Sequence, residues 1–279
     1  MIERHTFRAM GTTVELLVEA GGAGDALAAG EQEFERLEQV LSRFRPDSEL
    51  ARLNRDGAID GSQDLLEVVE LALAARERTN GRFDPTVHDA LVGAGYDRTF
   101  DELQADTVAA ATSCSCGGGV TVAGRRIELE PGFRIDLGGI GKGFAAERVA
   151  TTLALTGPCL VSAGGDVAVR GVPTEGTWAI EVDEHLTLGL TRGGLATSGR
   201  DRRHWRRAGA DQHHLIDPKT GRPAVTDLLR VTAIGRDAVE AEVLAKELFF
   251  AGSVEALERD VPAVLITADG RTLTTGGLA

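Results

Sequence analysis

Apolar and polar positions alternate through TTVELLVEA (12–20), a period of two that predicts a strand. The period then lengthens. Phe34, Leu37, Leu41 and Phe44 share one helical face, predicting a helix over 24–44. Pro46 is expected to end it, and Ser48 reads as the N-cap of a short turn beyond. A second helix is predicted over about 63–79, with Leu65, Val68, Val69, Ala72 and Leu73 inward. GRFDPTV (81–87) is a loop around Pro85, and VTVAGRRIELE (120–130) alternates about a turn as a hairpin. IDL is expected to end a strand at residue 137, with a helix from Phe144 to about Leu155.

The second half is richer in strands: PCLVSAGGDVAVRG (158–171), WAIEVD (178–183) and LRVTAIG (229–235). DAVEAEVLAKELFFAG (237–252) is its clearest helix, with Gly252 as the stop, and residues 263–275 close as a hairpin around Asp269–Gly270. The order lacks a regular βαβ alternation. It predicts an α+β fold, with helices packed on mixed, largely antiparallel sheets. At 279 residues, one domain over 1–279 is expected, with room for two intimately packed subdomains.

Composition narrows the function. The 42% hydrophobic content supports a substantial core, and the net charge of −13 disfavours a general nucleic-acid binder. The basic run RDRRHWRR (200–207) reads as a solvated hairpin or strand edge. No apolar run approaches the ~18 residues of a membrane span, so no membrane insertion is expected. The first residues lack a basic stretch followed by an apolar one, so they do not read as a signal peptide. Cys114 and Cys116 are spaced too closely for a zinc knuckle. An odd count of three cysteines, without an export signal, fits reduced thiols in a cytoplasm.

The candidate chemistry centres on IDLGGIGKGFAAERVA (135–150). Lys142 is followed by Gly143, so this is neither a P-loop nor a dinucleotide fingerprint. Its glycines, the helix start and Lys142 nevertheless suit an anion, and suit a plain strand-to-helix turn equally. SAGGDVAVRG (162–171), ATSGRDRRHW (196–205) and HHLIDPKTGRPA (213–224) add further polar glycine runs. In the last, Asp217, Pro218 and Gly221 fix a tight turn just after His214. A lone histidine is more often structural than catalytic.

Taken in order, eight segments resemble the ApbE family of flavin transferases. They are MGTTVEL (10–16), LSRFRPDSELARLN (41–54), GRFDPTV (81–87), IDLGGIGKGFAAE (135–147), SAGGDVAVRG, ATSG (196–199), HHLIDPKTGRP (213–223) and the helix at 237–252. They span nearly the whole chain. The resemblance implies transfer of FMN from FAD to a Ser or Thr hydroxyl of an acceptor protein bearing a short flavinylation motif, with release of AMP. It implies that Asp136 and Lys142 contact FAD and that the glycines admit its diphosphate. Met10 and Phe44 would flank the flavin nucleotide, and Phe83, Asp84 and Thr86 would line the adenosine or isoalloxazine pocket. Ile216 would give backbone contacts, and His214 matches the histidine given the catalytic role. Family members are often exported lipoproteins, whereas this sequence has no lipobox cysteine near its start, which again points to the cytoplasm.

The match breaks at the metal. The family's Mg²⁺ is held by the glycine-rich segment, here Gly139 and Gly141, and by a helical D-A-x-x-T motif. Glu242 stands at that aspartate here and Lys246 at the threonine. An ammonium has donors only and cannot ligate Mg²⁺. Lys246 could point away while Glu242 keeps the metal, could place its ammonium where the metal would sit, or could mark a dead site. The second is the expectation, because Lys246 falls at the ligand position, and it implies FAD binding without tight magnesium dependence. A simple i,i+4 surface pair is the plain alternative. FAD pyrophosphatase activity and non-catalytic FAD binding are the competing functions.

Overall fold

The computed structural model describes residues 1–103, 106–107 and 109–278. Its spine is an eight-stranded sheet whose neighbouring strands are all antiparallel. The strands are β1 (Ile2–Ala9), β2 (Thr12–Glu19), β3 (Cys159–Ala163), β4 (Asp166–Arg170), β5 (Gly193–Gly199), β6 (Leu228–Gly235), β7 (Ala263–Thr267) and β8 (Thr272–Thr275). Their spatial order is their chain order. The expected strand over 158–171 is thus a hairpin. Its turn, Gly164–Gly165, has φ of 64° and 103°, a conformation that glycine adopts freely.

The described residues also form six α-helices: α1 (Gly24–Leu41), α2 (Glu49–Asp56), α3 (Gln63–Arg78), α4 (His88–Ala94), α5 (Gly141–Leu153) and α6 (Ala238–Leu257). The first five lie on one long excursion between β2 and β3. Val161, Ala163 and Ala168 bury one sheet face against a core that includes Phe34 and Leu37 of α1 and Ala146 and Val149 of α5. Leu160, Val167 and Val169 point the other way, onto Trp178, Ile180 and Val182 of a covering hairpin. Burial on both faces explains why β3 and β4 read as continuous apolar runs while β1 alternates. α6 packs across β5 and β6 and against α5. The fold is α+β with mostly antiparallel sheets.

Four local expectations need correction. α1 stops at Leu41, well before Pro46, because Ser42 is extended and its hydroxyl accepts the Phe44 N–H at 3.2 Å. Phe44 therefore leaves the α1 face and joins a cluster with Tyr96, Trp205 and Ile216. IDL is not a strand. Both backbone groups of Ile135 bond the Asn54 side chain at 2.8 Å, and the Asp136 N–H bonds Pro85 O at 2.7 Å. Side-chain partners replace a ladder there, which alternation alone does not reveal. α5 begins at Gly141, ahead of the expected Phe144, so Lys142 sits in its first turn. α6 runs beyond Gly252, which kinks it at φ 77° rather than ending it. Asp227 restarts the helix by accepting the Ser253 N–H at 3.0 Å and its hydroxyl.

Candidate active site

A cavity of about 640 Å³ opens where these loops converge. Met10, Phe44, Phe83, Asp84, Asp136, Gly139, Gly141, Lys142, His214 and Ile216 all lie on its wall. Met10 and Gly11 form the β1–β2 turn with φ of 50° and 67°. That conformation costs a methionine about 1–2 kcal/mol, and the Met10 N–H is held by Glu38 Oε2 at 3.1 Å. Thr86 and Glu242 stand behind the wall. Thr86 braces Asp84, giving its N–H and hydroxyl to Oδ1 at 2.8 and 2.7 Å while accepting the Gly117 N–H at 2.7 Å. Its role in the structure is therefore to hold Asp84, not to line the pocket.

The glycine-rich segment divides its work. Asp136 accepts the Gly138 N–H at 2.8 Å and pairs with Arg43 Nε at 2.7 Å. The buried Arg43 guanidinium lies over the rings of Phe44 and Tyr96, at 4.1 and 4.6 Å. A Cβ at Gly139 would meet Lys246 Cε at 3.0 Å and Phe83 at 3.2 Å. A Cβ at Gly143 would meet Ala238 O at 2.7 Å, so this glycine serves close α5–α6 packing. Gly139 and Gly141 reach the cavity, whereas Gly143 is buried in the helix contact.

Under that segment lies a cluster of four charges. Lys142 Nζ pairs with Asp166 and lies 3.0 Å from Glu242 Oε1. Lys246 Nζ is 3.2 Å from the same oxygen, and the Gly143 N–H donates to Oε2 at 3.0 Å. Glu242 is 1% exposed, so the surface-pair alternative for Glu242 and Lys246 does not hold. Burial pushes the Asp166 carboxyl up to about 6, and the Glu242 charge adds to this. Burial would raise Glu242 as well, but Lys142 and Lys246 outweigh it and hold the carboxyl down at about 2. The two differ because Glu242 has two ammonium partners and a backbone N–H, whereas Asp166 has Lys142 alone at contact distance. Burial opposes the Lys142 charge, yet Asp166 and Glu242 raise its pKa above the ordinary lysine range.

These residues do not fit a magnesium ion. Mg²⁺ needs oxygen ligands at ~2.0–2.1 Å in octahedral array. Both Glu242 oxygens already receive N–H donors, and among the described residues no three His, Cys, Asp or Glu side chains converge as ligands. A dication ~4 Å from one ammonium would be repelled by ~8 kcal/mol at an effective dielectric of 20.

The two adjacent histidines differ. His213 Nε2 bonds Ala224 O at 3.1 Å and its Nδ1 accepts the Leu215 N–H at 3.3 Å, which fixes a neutral structural ring. His214 has one long bond, Nδ1 to Arg203 O at 3.4 Å. A carbonyl only accepts, so Nδ1 carries the proton and Nε2 keeps its lone pair. Burial first, and then the charges of Arg203 and Lys246, hold the His214 pKa well below the ordinary histidine range. The ring is neutral at pH 7, as a proton acceptor requires.

Arg43 and Arg203 also stand on the wall, outside the expected site residues, and Asp166, from the SAGGDVAVRG run, pairs with Lys142 there. Arg43 sits 93 positions before its partner Asp136, and no local period reports such a pairing. Arg203 was hidden in a run read as solvated. Its neighbour Trp205 is in fact 7% exposed, with Nε1 bonded to Ala94 O at 2.9 Å, and this anchors the hairpin against the site. An aromatic residue amid five arginines was the available signal.

The ApbE family model matches residues 10–262 of this chain. The FAD:protein FMN transferase of Treponema pallidum is 30% identical, over 92% of this chain and 82% of its own. That of Salmonella typhimurium is 29% identical, over 78% and 69%. The crystal structure of the ApbE protein from Thermotoga maritima superposes with a TM-score of 0.86 at 24% identity, covering 99% of this chain and 97% of that one. The flavin transferase ApbE from Vibrio cholerae gives 0.76 at 22% identity, over 99% and 97%. These two structures share the fold. With sequence matches running almost end to end, the chain belongs to the ApbE family.

Proposed function

We propose that this protein is an FAD:protein FMN transferase. The observation that carries the reading is a neutral His214, whose Nε2 has no partner among the described residues, on the wall of the same cavity as the Lys142 and Lys246 cations. The cavity volume lies within the ~300–1,000 Å³ of small-molecule sites. In this reading Met10, Phe44, Phe83 and Ile216 pack the flavin nucleotide. Asp84 and Asp136 accept hydrogen bonds from it, and Lys142 and the start of α5 face its diphosphate. An acceptor Ser or Thr hydroxyl attacks the phosphorus nearer the riboflavin. His214 Nε2 takes the hydroxyl proton, the new O–P bond forms, the bridging P–O bond breaks, and AMP departs. Such a base is worth ~10²–10⁴ in rate.

The partner is an acceptor protein carrying a short flavinylation motif with a Ser or Thr. No step is routed through magnesium, because both Glu242 oxygens already receive N–H donors and the Lys246 ammonium stands at the threonine ligand position. The test is mass spectrometry of a candidate acceptor after incubation with FAD. An FMN adduct with AMP supports the reading. Free FMN and AMP without an adduct make the protein an FAD pyrophosphatase, and unchanged FAD makes it a binding protein.

A further inference from the structure

A diphosphate that is being cleaved gathers negative charge, and positive charge must be aimed at it. Among the basic residues on the cavity wall, Lys142, Lys246 and Arg203 lie in the part that also holds His214 and Asp166. Two of them are committed to Glu242 and Asp166. Arg203 has no carboxylate partner among the described residues. Its Nη2 reaches only Gly11 O, at 3.4 Å. Its backbone O accepts from His214 Nδ1 at 3.4 Å, and its side chain shares the wall with Lys142, so it stands beside the base. Three positive charges against two carboxylates leave an excess positive charge on this part of the cavity wall.

We infer that Arg203 and Lys246, together with Lys142, form a diphosphate-binding cluster that replaces a divalent cation, so that this chain holds its dinucleotide without magnesium. Glu242 is then an internal counter-ion that fixes both lysines, and Arg203 closes the anion site from just before the 204–213 hairpin. The inference rests on the dinucleotide reading above, and binding measurements separate the two.

The test is the FAD dissociation constant by flavin fluorescence, measured on the full chain in EDTA and in millimolar Mg²⁺. The expected result is agreement within about twofold. Arg203→Met and Lys246→Met are each expected to weaken FAD about tenfold, one power of ten being ~1.4 kcal/mol. Riboflavin, which has no diphosphate, should weaken less than about twofold. Arg203 lies on the wall, and its variant serves if Lys246→Met fails to fold. Loss of FAD in EDTA with recovery on adding Mg²⁺ overturns the inference and leaves the dinucleotide reading intact. Equal losses for FAD and riboflavin, or unchanged FAD affinity in the Arg203 variant, also overturn it. No FAD binding in either buffer overturns both.

Discussion

Replacing Glu242 with glutamine tests the buried charge cluster most directly. The change is nearly isosteric, so packing is kept and the charge is lost. Oε1 accepts from Lys142 at 3.0 Å and Lys246 at 3.2 Å, and Oε2 accepts from the Gly143 N–H at 3.0 Å. A glutamine amide must turn its own donor toward one of these sets, whichever way it flips. Lys246 then loses its carboxylate partner. Breaking a buried pair in this way costs ~3–5 kcal/mol. For a chain of this size, that corresponds to a fall in melting temperature of about 6–10 °C. The pH dependence supplies an independent check. The Glu242 pKa is depressed to about 2, so its contribution is fully present above its ordinary 4.5 and is lost as pH falls through 2. The gap between wild type and variant, read by calorimetry, should be widest near pH 7 and reduced to about half or less near pH 3. A gap below about 2 °C at pH 7, or one that widens on acidification, would refute the ion cluster.

Three further outcomes follow from the same geometry. His214→Gln should slow FMN transfer by ~10²–10⁴ while leaving FAD affinity almost unchanged, and the acidic limb of the wild-type kcat/KM profile should lie below pH 6.5 because the ring is held neutral; a limb above pH 7 contradicts the assignment. Thr86→Val strips one partner each from Gly117 N–H and Asp84 Oδ1 and should cost about 2–3 kcal/mol of stability; an unaltered melting curve argues against the bracing role. Gly143→Ala drives a Cβ to within 2.7 Å of Ala238 O and should force α5 and α6 apart at a cost of about 1–3 kcal/mol, with weaker FAD binding; wild-type stability together with wild-type affinity would count against it.

Periodicity located the long elements because their burial is one-sided or complete. α3, the hairpin at 120–130 and the closing hairpin fall within a residue or two of expectation. It failed where side chains, rather than ladders, satisfy the backbone. Asn54 stands in for a strand at Ile135, and Asp227 restarts α6 after Gly252. The segments that recur in family order supply most of the cavity wall. Long-range contacts account for what was missed. The sequence shows Lys246 as an anomaly but not that Lys142 shares its carboxylate, and it places Arg43 and Asp136 far apart although they touch.

The sheet's sequential order has a kinetic consequence. β3 and β4 zip across a two-residue turn, while β2 reaches β3 only after about 140 intervening residues have been looped out. Closing the longer loop costs roughly 4 kcal/mol more in chain entropy. The N-terminal hairpin therefore docks late, and Met10 arrives with it at the cavity rim. A refolding chain is expected to protect the β3–β4 hairpin before the cavity is complete. Pulse-labelled hydrogen exchange that found β2 protected ahead of β4 would reverse that order.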